Sequence, residues 1–308
     1  MQVTRRTFLA GMGSAALTPL SLARTSGPVR FGVISDVHHG LAERTESRLT
    51  EFLTEASGRP LDFIMQLGDF CHPVPEASSF LRLWHGYRGS RHGVLGNHDM
   101  DLGSKRQILD LWQLRERFYS FDAGFLHFVV LDANHMKLDG KLVPYEKGNW
   151  YRSGITASWI DPEQIEWLRS DLAATRRPTV VFCHQELDET MPGGVPNKAE
   201  VRRFFEESGR VAACFVGHSH VDRDEVRNGI YYQRVNSSSY AWVGENYGRM
   251  AHYGRTLFAF VAIWPDGRLE VEGRRGFFEG DSPFARGVPE PDRFSASLAS
   301  RLSQLKTN

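Results

Sequence analysis

The sequence predicts an α/β fold in which strands and helices alternate and polar loops follow the strands. Short, apolar runs rich in β-branched residues are separated by segments with helical periodicity. Five of the runs are followed directly by loops that contain Asp, Asn or His. Because ligands bind outside the carboxyl ends of the strands in open α/β sheets, we expect these five loops to meet at one site.

The predicted elements follow one another along most of the chain. Strand runs are predicted at residues 30–35, 62–67, 91–95, 118–122, 126–131, 179–183, 211–216, 230–236, 257–264 and 269–273. Helical periodicity is present at residues 43–57, 78–87, 104–117, 162–175 and 198–208. Asp161 and Asn197 are predicted N-caps, and Pro265-Asp266-Gly267 predicts a hairpin turn. The elements indicate two packed sheets with helices outside, although counting strands leaves their division between sheets open.

Five short motifs contain nearly all the usable metal ligands. In chain order they are Asp36-Val37-His38, Gly68-Asp69, Gly96-Asn97-His98-Asp99, His184 and Gly217-His218-Ser219-His220. Asp, Asn and His suit divalent Mn, Fe, Zn or Co. Two such cations can clamp a phosphate ester and activate a shared water. One motif alone is more often a turn or a cap than a ligand, but five in this order predict a two-metal phosphoesterase site.

These motifs resemble those of the calcineurin-like metallophosphoesterase superfamily over about residues 29–220. The resemblance implies a four-layer α/β/β/α sandwich of two packed mixed β-sheets flanked by helices. It also implies that His98 is a catalytic acid or substrate contact oriented by Asp99. The implied metal ligands are Asp36, His38 and His220 for one ion, Asn97, His184 and His218 for a second, and Asp69 bridging both.

The sequence leaves the identity of the metals open. His72 stands three residues after Asp69, where the purple acid phosphatase branch of the superfamily has a tyrosine ligand. A tyrosinate–iron site is therefore not expected, and Mn, Fe, Zn or a mixed pair all remain possible. We expect Cys71, Cys183 and Cys214 to be buried free thiols rather than ligands.

Charge counting predicts the mechanism. Two divalent cations would exceed the charge of the Asp36 and Asp69 carboxylates, which favours phosphate binding and a hydroxide that bridges the metals. We expect this hydroxide to attack phosphorus in line, without a phosphoenzyme. His98 would donate to the leaving oxygen, and Asp99 would accept from the other nitrogen of the His98 ring.

Substrate contacts are predicted from the loops around these motifs. Residues 132–160 are predicted to be a long irregular connection, a type of segment that is often functional. The predicted contacts are His39, His72, Trp150, Tyr151, Arg152, Tyr240 and Trp242. The favoured function is a phosphodiesterase acting on a nucleotide or another small diester. A phosphomonoesterase that scavenges phosphate and a non-catalytic metal-binding module are the alternatives, the latter disfavoured because no ligand is missing.

Composition and the N-terminal residues predict an exported enzyme. The 308 residues include 37 acidic and 37 basic side chains, so charge does not indicate a nucleic-acid polymer as partner. Residues 1–23 resemble a twin-arginine signal peptide, with Arg5-Arg6, a short apolar run and a cleavage sequence ending at Ala23. We therefore expect passage through the twin-arginine translocation machinery and a periplasmic or secreted mature chain without a transmembrane segment. Residues 24–282 are predicted to form the catalytic domain, and residues 283–308 a polar, partly disordered tail.

Overall fold

The computed structural model describes residues 27–148, 156–188, 194–244, 250–288 and 294–306. The helices are α1 (Thr45–Ser57), α2 (Ser78–His85), α3 (Lys105–Trp112), α4 (Pro162–Ala174) and α5 (Lys198–Ser208). The strands are β1 (Val29–Ile34), β2 (Phe63–Gln66), β3 (Ser90–Gly93), β4 (Tyr119–Ala123), β5 (Leu126–Val130), β6 (His135–Leu138), β7 (Lys141–Pro144), β8 (Thr156–Trp159), β9 (Thr179–Phe182), β10 (Val211–Val216), β11 (Arg223–Arg227), β12 (Ile230–Arg234), β13 (Tyr240–Trp242), β14 (Met250–His252), β15 (Ala259–Ile263), β16 (Arg268–Glu272) and β17 (Arg301–Gln304).

Two mixed six-stranded sheets form the centre of the fold. The first has the order β17-β16-β15-β1-β2-β3, with β1, β2 and β3 parallel and the other pairs antiparallel. The second has the order β11-β12-β10-β9-β5-β4, with its four inner strands parallel. Since the ligand motifs follow β1, β2, β3, β9 and β10, parallel pairing brings their carboxyl ends to the same edge within each sheet.

The sheets pack face to face through an aromatic core. Phe31 stacks on Phe63 in the first sheet at 5.0 Å between ring centroids, and meets Phe182 and Phe215 of the second sheet edge to face at 5.6 Å. Helices α1, α2 and α3 cover the outer face of the first sheet, and α4 and α5 cover that of the second. The predicted four-layer α/β/β/α sandwich is confirmed.

The structure contains the predicted turn and one of the two predicted helix caps. The hairpin between β15 and β16 is confirmed, with Gly267 at φ 86°. Asp161 caps α4 by accepting from the backbone N–H of Gln164. Asn197 precedes α5 but does not cap it, because its side chain exchanges two hydrogen bonds with the backbone of Ile160.

Three predictions about larger segments were wrong. Helix α3 ends at Trp112 rather than at residue 117, since Gln113 adopts a left-handed conformation with φ 60°. The connection 132–160 contains a three-stranded sheet of order β7-β6-β8. Residues 301–304 of the expected tail form β17 at the edge of the first sheet, and Leu298 and Leu305 are buried in the core.

In the part of the chain that the structure describes, no helix is long and apolar enough to cross a bilayer.

Candidate metal centre

The carboxyl ends of β1, β2, β9 and β10 bring six of the seven predicted metal ligands together in two adjacent groups. The first ligand group consists of Asp36, His38 and His220, and the second of Asp69, His184 and His218. Within each group the potential ligand atoms all lie within 4.8 Å of one another. Of these six residues only His218 is partly exposed.

In the first ligand group, atoms of all three side chains face a common point. The Nε2 atoms of His38 and His220 are 3.1 Å apart. Asp36 Oδ1 lies 3.3 Å from Nε2 of His220 and 3.8 Å from Nε2 of His38. Two nitrogens bound to one ion at about 2.0–2.1 Å are separated by roughly 3 Å, so the observed spacing fits a shared cation.

Asp69 connects the two groups. Its Oδ2 atom lies 3.2 Å from Nε2 of His184 in the second group and 3.6 Å from Nε2 of His38 in the first. Asn97, predicted as a further ligand of the second ion, is 1% exposed. A carboxylate in this position can bridge two ions, and the bridging role of Asp69 stays a prediction.

Buried polar atoms without partners indicate that a cation fits here. Asp36 Oδ1, Asn97 Oδ1 and His184 Nε2 are buried and make no well-aligned hydrogen bond among the described residues, although Asp36 Oδ1 and His184 Nε2 lie 3.3 Å from His220 and 3.2 Å from Asp69, respectively. Such orphans are rare in folded proteins because each costs desolvation free energy, and an ion is one accepted explanation. His184 donates from Nδ1 to the carbonyl of Leu67 at 2.6 Å, which leaves Nε2 directed at the site, where it can bind a cation once its proton is lost.

The electrostatics of the ligand histidines differ between the groups. Burial lowers the pKa of His38 to about 3, so its imidazole is neutral. Burial also lowers the pKa of His184, but the carboxylates of Asp69 and Asp36 outweigh it and raise the pKa to about 10. A positive charge is therefore favoured at His184, and cation binding there would displace a proton.

Five of the seven predicted ligands have left-handed backbone conformations. The φ angles are 52° at Asp36, 57° at His38, 50° at Asp69, 67° at His218 and 52° at His220. For residues other than glycine this conformation costs about 1–3 kcal/mol each and persists only where the surroundings impose it. Such clustering is typical of functional sites.

Two glycines permit the close approach of these loops. Gly68 has φ 94°, and a Cβ atom there would lie 2.5 Å from His184 Nδ1. At Gly217 a Cβ atom would lie 2.1 Å from the hydroxyl of Ser35 and 2.7 Å from Asp36 Oδ2. The crowding explains why glycine precedes these ligands.

His98 lies beside the metal ligands with its ring partly open to solvent. Its ring centroid is 5.2 Å from that of His38, and its side chain is 23% exposed. Burial lowers the pKa of His98, but the carboxylates of Asp69 and Asp101 outweigh it and raise the pKa above its ordinary value. A protonated imidazole in this place can donate to a bound phosphate ester.

The predicted partner of His98 was wrong. Asp101, not Asp99, accepts a hydrogen bond from His98 Nδ1, at 2.8 Å. Sequence reasoning missed Asp101 because the motif Gly96-Asn97-His98-Asp99 ends before it. A signal existed, since a carboxylate three residues after His98 can reach the ring within one helical turn.

Asp99 instead organises the backbone of two ligand loops. Its Oδ1 accepts from the N–H groups of Phe70 and Cys71 at 2.7 and 3.1 Å. Its Oδ2 accepts from those of Asp69 and Gly96 at 3.0 and 2.8 Å. Burial and the nearby Asp69 carboxylate raise the pKa of Asp99, and the N–H donors act against that shift. Asp99 thus ties the loop of Asp69 to the loop of Asn97.

The predicted substrate contacts fall into different environments. His39 stacks on Phe80 at 4.4 Å between ring centroids and bonds Thr45 Oγ1 at 2.7 Å, so it supports the helical layer. His72 is buried, and its Nε2 lies 3.7 Å from Oδ2 of Asp101, the residue that also contacts His98.

The other predicted contacts lie against the first ligand group, at the surface, or outside the described residues. Tyr240 packs on the rings of His38 and His220, at centroid distances of 5.1 and 4.7 Å. Trp242 is 43% exposed. Trp150, Tyr151 and Arg152 lie outside the described residues.

The three cysteines are not ligands in either group. Cys71, Cys183 and Cys214 are buried free thiols, which confirms the prediction. Cys71 accepts from the indole N–H of Trp112 at 3.3 Å. Burial raises the pKa of Cys71 above its ordinary range, so a thiolate is disfavoured.

Comparisons with known proteins agree with this geometry. A family model described as calcineurin-like phosphoesterase matches residues 29–222. A dimetal phosphatase from Danio rerio has a TM-score of 0.61 at 14% identity, covering 82% of this chain and 98% of that chain. GAP50, the anchor in the inner membrane complex of Plasmodium, has a TM-score of 0.54 at 12% identity, covering 92% of this chain and 90% of that chain. No curated protein matches the sequence. At such identities the structural likeness shows the fold alone.

Proposed function

Because the chain belongs to the calcineurin-like phosphoesterase family, we propose that it is an exported binuclear-metal phosphodiesterase acting on a nucleotide or another small diester. The observation that carries the proposal is the pair of ligand groups joined by Asp69, whose Oδ2 lies 3.2 Å from His184 and 3.6 Å from His38. A shared carboxylate between two ligand groups is what a two-metal site requires. Family membership supports metal-dependent hydrolysis of phosphate esters.

The ligand groups support a cofactor of two divalent cations. Two divalent cations, Mn, Fe, Zn or a mixed pair, would be held by the first ligand group and by Asn97, His184 and His218, with Asp69 between them. When bound, the ions would neutralise charge on the phosphate and lower the pKa of a water molecule. The donor set of carboxylate, amide and imidazole groups supports these metals rather than a thiolate-bound one.

His98 would protonate the leaving oxygen. The hydrogen bond from its Nδ1 to Asp101 fixes the tautomer and the orientation of the ring. The Nε2 atom is then free to donate to the ester oxygen as the bond to phosphorus breaks. Asp101 would also stabilise the imidazolium, which is the acid form that this step consumes.

A diester is the favoured substrate because an exposed aromatic ring lies close in sequence to a residue that packs on the first ligand group. His98 lies beside His38 on one side, and Tyr240 packs on His38 and His220 on another. The exposed ring of Trp242 follows Tyr240 by two residues. An exposed aromatic ring such as that of Trp242 can hold the second ester substituent that distinguishes a diester from a monoester, whereas the buried ring of Tyr240 supports the ligands.

We also propose that residues 1–23 direct export through the twin-arginine machinery to the periplasm or the medium. The support is the Arg5-Arg6 pair with its apolar run and cleavage sequence. Replacing both arginines by lysine should leave the protein in the cytoplasmic fraction of a bacterial host. Export of that variant at the normal level would contradict the assignment.

The activity is tested by comparing bis-p-nitrophenyl phosphate with p-nitrophenyl phosphate. The mature chain from Arg24 is supplied with Mn²⁺ and compared with Asn97→Ala and His184→Ala. The control is His85→Ala, whose ring bonds the carbonyl of Leu111 on the helical layer. We expect diester cleavage by the parent and the control, and none by the two ligand variants.

Other outcomes change the conclusion. Preference for the monoester would make the protein a phosphatase. No turnover of either ester by a chain that binds two ions would support a non-catalytic role. Equal activity of the parent and the ligand variants would refute the proposed centre.

A further inference from the structure

A single segment, residues 237–240, contacts the first ligand group from behind. We propose that this segment holds that group in its ligating geometry before a cation binds, an inference that rests on the metal-dependent function proposed above. The positioning groups are the hydroxyls of Ser237 and Ser239 and the ring of Tyr240. They act through the ligands and do not touch the reacting atoms.

The serine hydroxyls converge on one carbonyl. Ser237 Oγ and Ser239 Oγ donate to the carbonyl oxygen of Asp36 at 2.9 and 3.1 Å, and Ser239 Oγ also lies 3.4 Å from that of Val37. Ser238 Oγ lies 3.5 Å from the same Asp36 oxygen. All three serines are 0% exposed. A buried hydroxyl loses its water, so three consecutive ones directed at one carbonyl point to a specific holding role.

The peptide they hold is the strained part of the ligand loop. Asp36 and His38 both have left-handed backbones, with φ 52° and 57°. The N–H groups of the loop are already held, since Asp36 N–H donates to Gly68 at 3.1 Å and His38 N–H to Asp69 at 2.8 Å. The serine hydroxyls hold the carbonyl side, and with both sides fixed the carboxylate and the imidazole keep their directions.

Tyr240 holds the imidazole rings of the same group. Its ring is 2% exposed and packs on both His38 and His220. The strand that carries it is anchored by pairing of Tyr240 with His252. Packing of one aromatic ring on two imidazoles limits their rotation, which keeps both Nε2 atoms directed at the shared point.

The second ligand group has its own support. His184 is held by the hydrogen bond from its Nδ1 to Leu67, which involves no residue of the segment 237–240. Changes in this segment should therefore weaken cation binding at the first group and spare the second. That asymmetry separates positioning from a general effect on folding.

The test measures Mn²⁺ affinity at each group separately, by electron paramagnetic resonance of free Mn²⁺ in titrations of metal-stripped protein. His184→Ala leaves the first group, and His220→Ala leaves the second. In the His184→Ala background, Ser237→Ala with Ser239→Ala should weaken binding by about 10-fold to 100-fold, the usual effect of removing groups that orient ligands. In the His220→Ala background the same pair should change the affinity by less than about twofold.

Matched variants separate the ring from the hydroxyl groups. Tyr240→Phe keeps the ring and should retain Mn²⁺ affinity at the first group, whereas Tyr240→Ala should weaken it. Ser57→Ala is the control, because that hydroxyl donates to a helix carbonyl, Leu53, at 2.7 Å, and should change neither site.

Three results would overturn the proposal. Unchanged affinity at the first group would show that the hydroxyls are only structural, and equal loss at both groups would show a general effect. If the double variant does not fold, Ser239→Ala alone is judged by the same criteria. If the parent protein binds no Mn²⁺ at either group, the proposed metal centre itself fails and the positioning role fails with it.

Discussion

Exchanging the carboxylates of Asp99 and Asp101 for amides should have different consequences. Asp101→Asn changes one hydrogen bond, from His98 Nδ1 at 2.8 Å. Asp99→Asn changes four hydrogen bonds from backbone N–H groups at 2.7–3.1 Å. We expect Asp101→Asn to lower the rate with the metal centre intact. Asp99→Asn should instead destabilise the loops that carry the ligands.

The magnitude for Asp101→Asn follows from its single charged hydrogen bond. Such bonds contribute about 1.5–3 kcal/mol, and about 1.4 kcal/mol corresponds to a factor of ten in rate. The rate should therefore fall by about 10-fold to 150-fold. His98→Ala, which removes the acid itself, should cost about 10²-fold to 10⁴-fold, with the metal content unchanged in both variants.

The loss of stability expected for Asp99→Asn follows from the backbone N–H groups that would lose their acceptor. An asparagine keeps one acceptor oxygen, so about two of the four buried N–H groups lose their partner at about 1–3 kcal/mol each. The total of about 2–6 kcal/mol is large against a typical stability of 5–15 kcal/mol. We expect a lower melting temperature and reduced metal content in this variant.

The assay compares leaving groups. Turnover of p-nitrophenyl esters and of the corresponding phenyl esters is measured for each variant, together with bound metal and the melting temperature. Because phenol is the poorer leaving group and needs the acid more, Asp101→Asn and His98→Ala should lose more activity on phenyl esters. The assignment of Asp101 as the partner of His98 is refuted if Asp99→Asn loses more activity on phenyl esters with full metal content and Asp101→Asn leaves both activities unchanged.

Three further predictions concern stability and metal removal. The guanidinium of Arg234 is 1% exposed and donates to Asp188 at 2.6 and 2.8 Å. Asp188→Ala removes that buried ion pair and should lower the free energy of unfolding, measured in urea, by about 3–5 kcal/mol. Burial lowers the pKa of His127, but hydrogen bonds to Asp171 and Asp122 outweigh it and raise the pKa. The stabilisation that protonated His127 gives the folded state is therefore complete below about pH 6.5 and is lost as the pH rises through the pKa of His127 in the folded protein. His127→Gln should flatten this part of a plot of melting temperature against pH. A chelator should abolish activity and lower the melting temperature, and Mn²⁺ should restore both.

The convergence of the predicted metal ligands could be foreseen because each motif is local and ends a strand. Asp36, Asp69 and Asn97 each follow one of three parallel neighbours, so short-range sequence order already placed them at one edge. The helices covering the sheets were predicted from periodicity, and α5 begins and ends at the predicted residues. What the sequence could not give was the pairing of distant strands, such as that of β1 with β15.

The features that were missed depend on contacts across the fold. Strand β17 alternates Arg, Leu, Ser and Gln, and its Leu302 is 78% exposed, so no hydrophobic pattern marks it as part of a sheet. Strands β6 and β7 are only four residues long, contain one lysine each, and β7 ends in a proline, so neither has a clear strand pattern. The role of Asp99 depends on donors from another loop, Phe70 and Cys71 among them, which a local motif does not contain.

Anomalous diffraction from crystals of the protein loaded with Mn²⁺ would test the two-metal claim most directly. The account predicts two anomalous peaks about 3.5–4 Å apart, one among Asp36, His38 and His220 and the other among Asn97, His184 and His218, with Asp69 between them. A single peak, or peaks away from these residues, would contradict it.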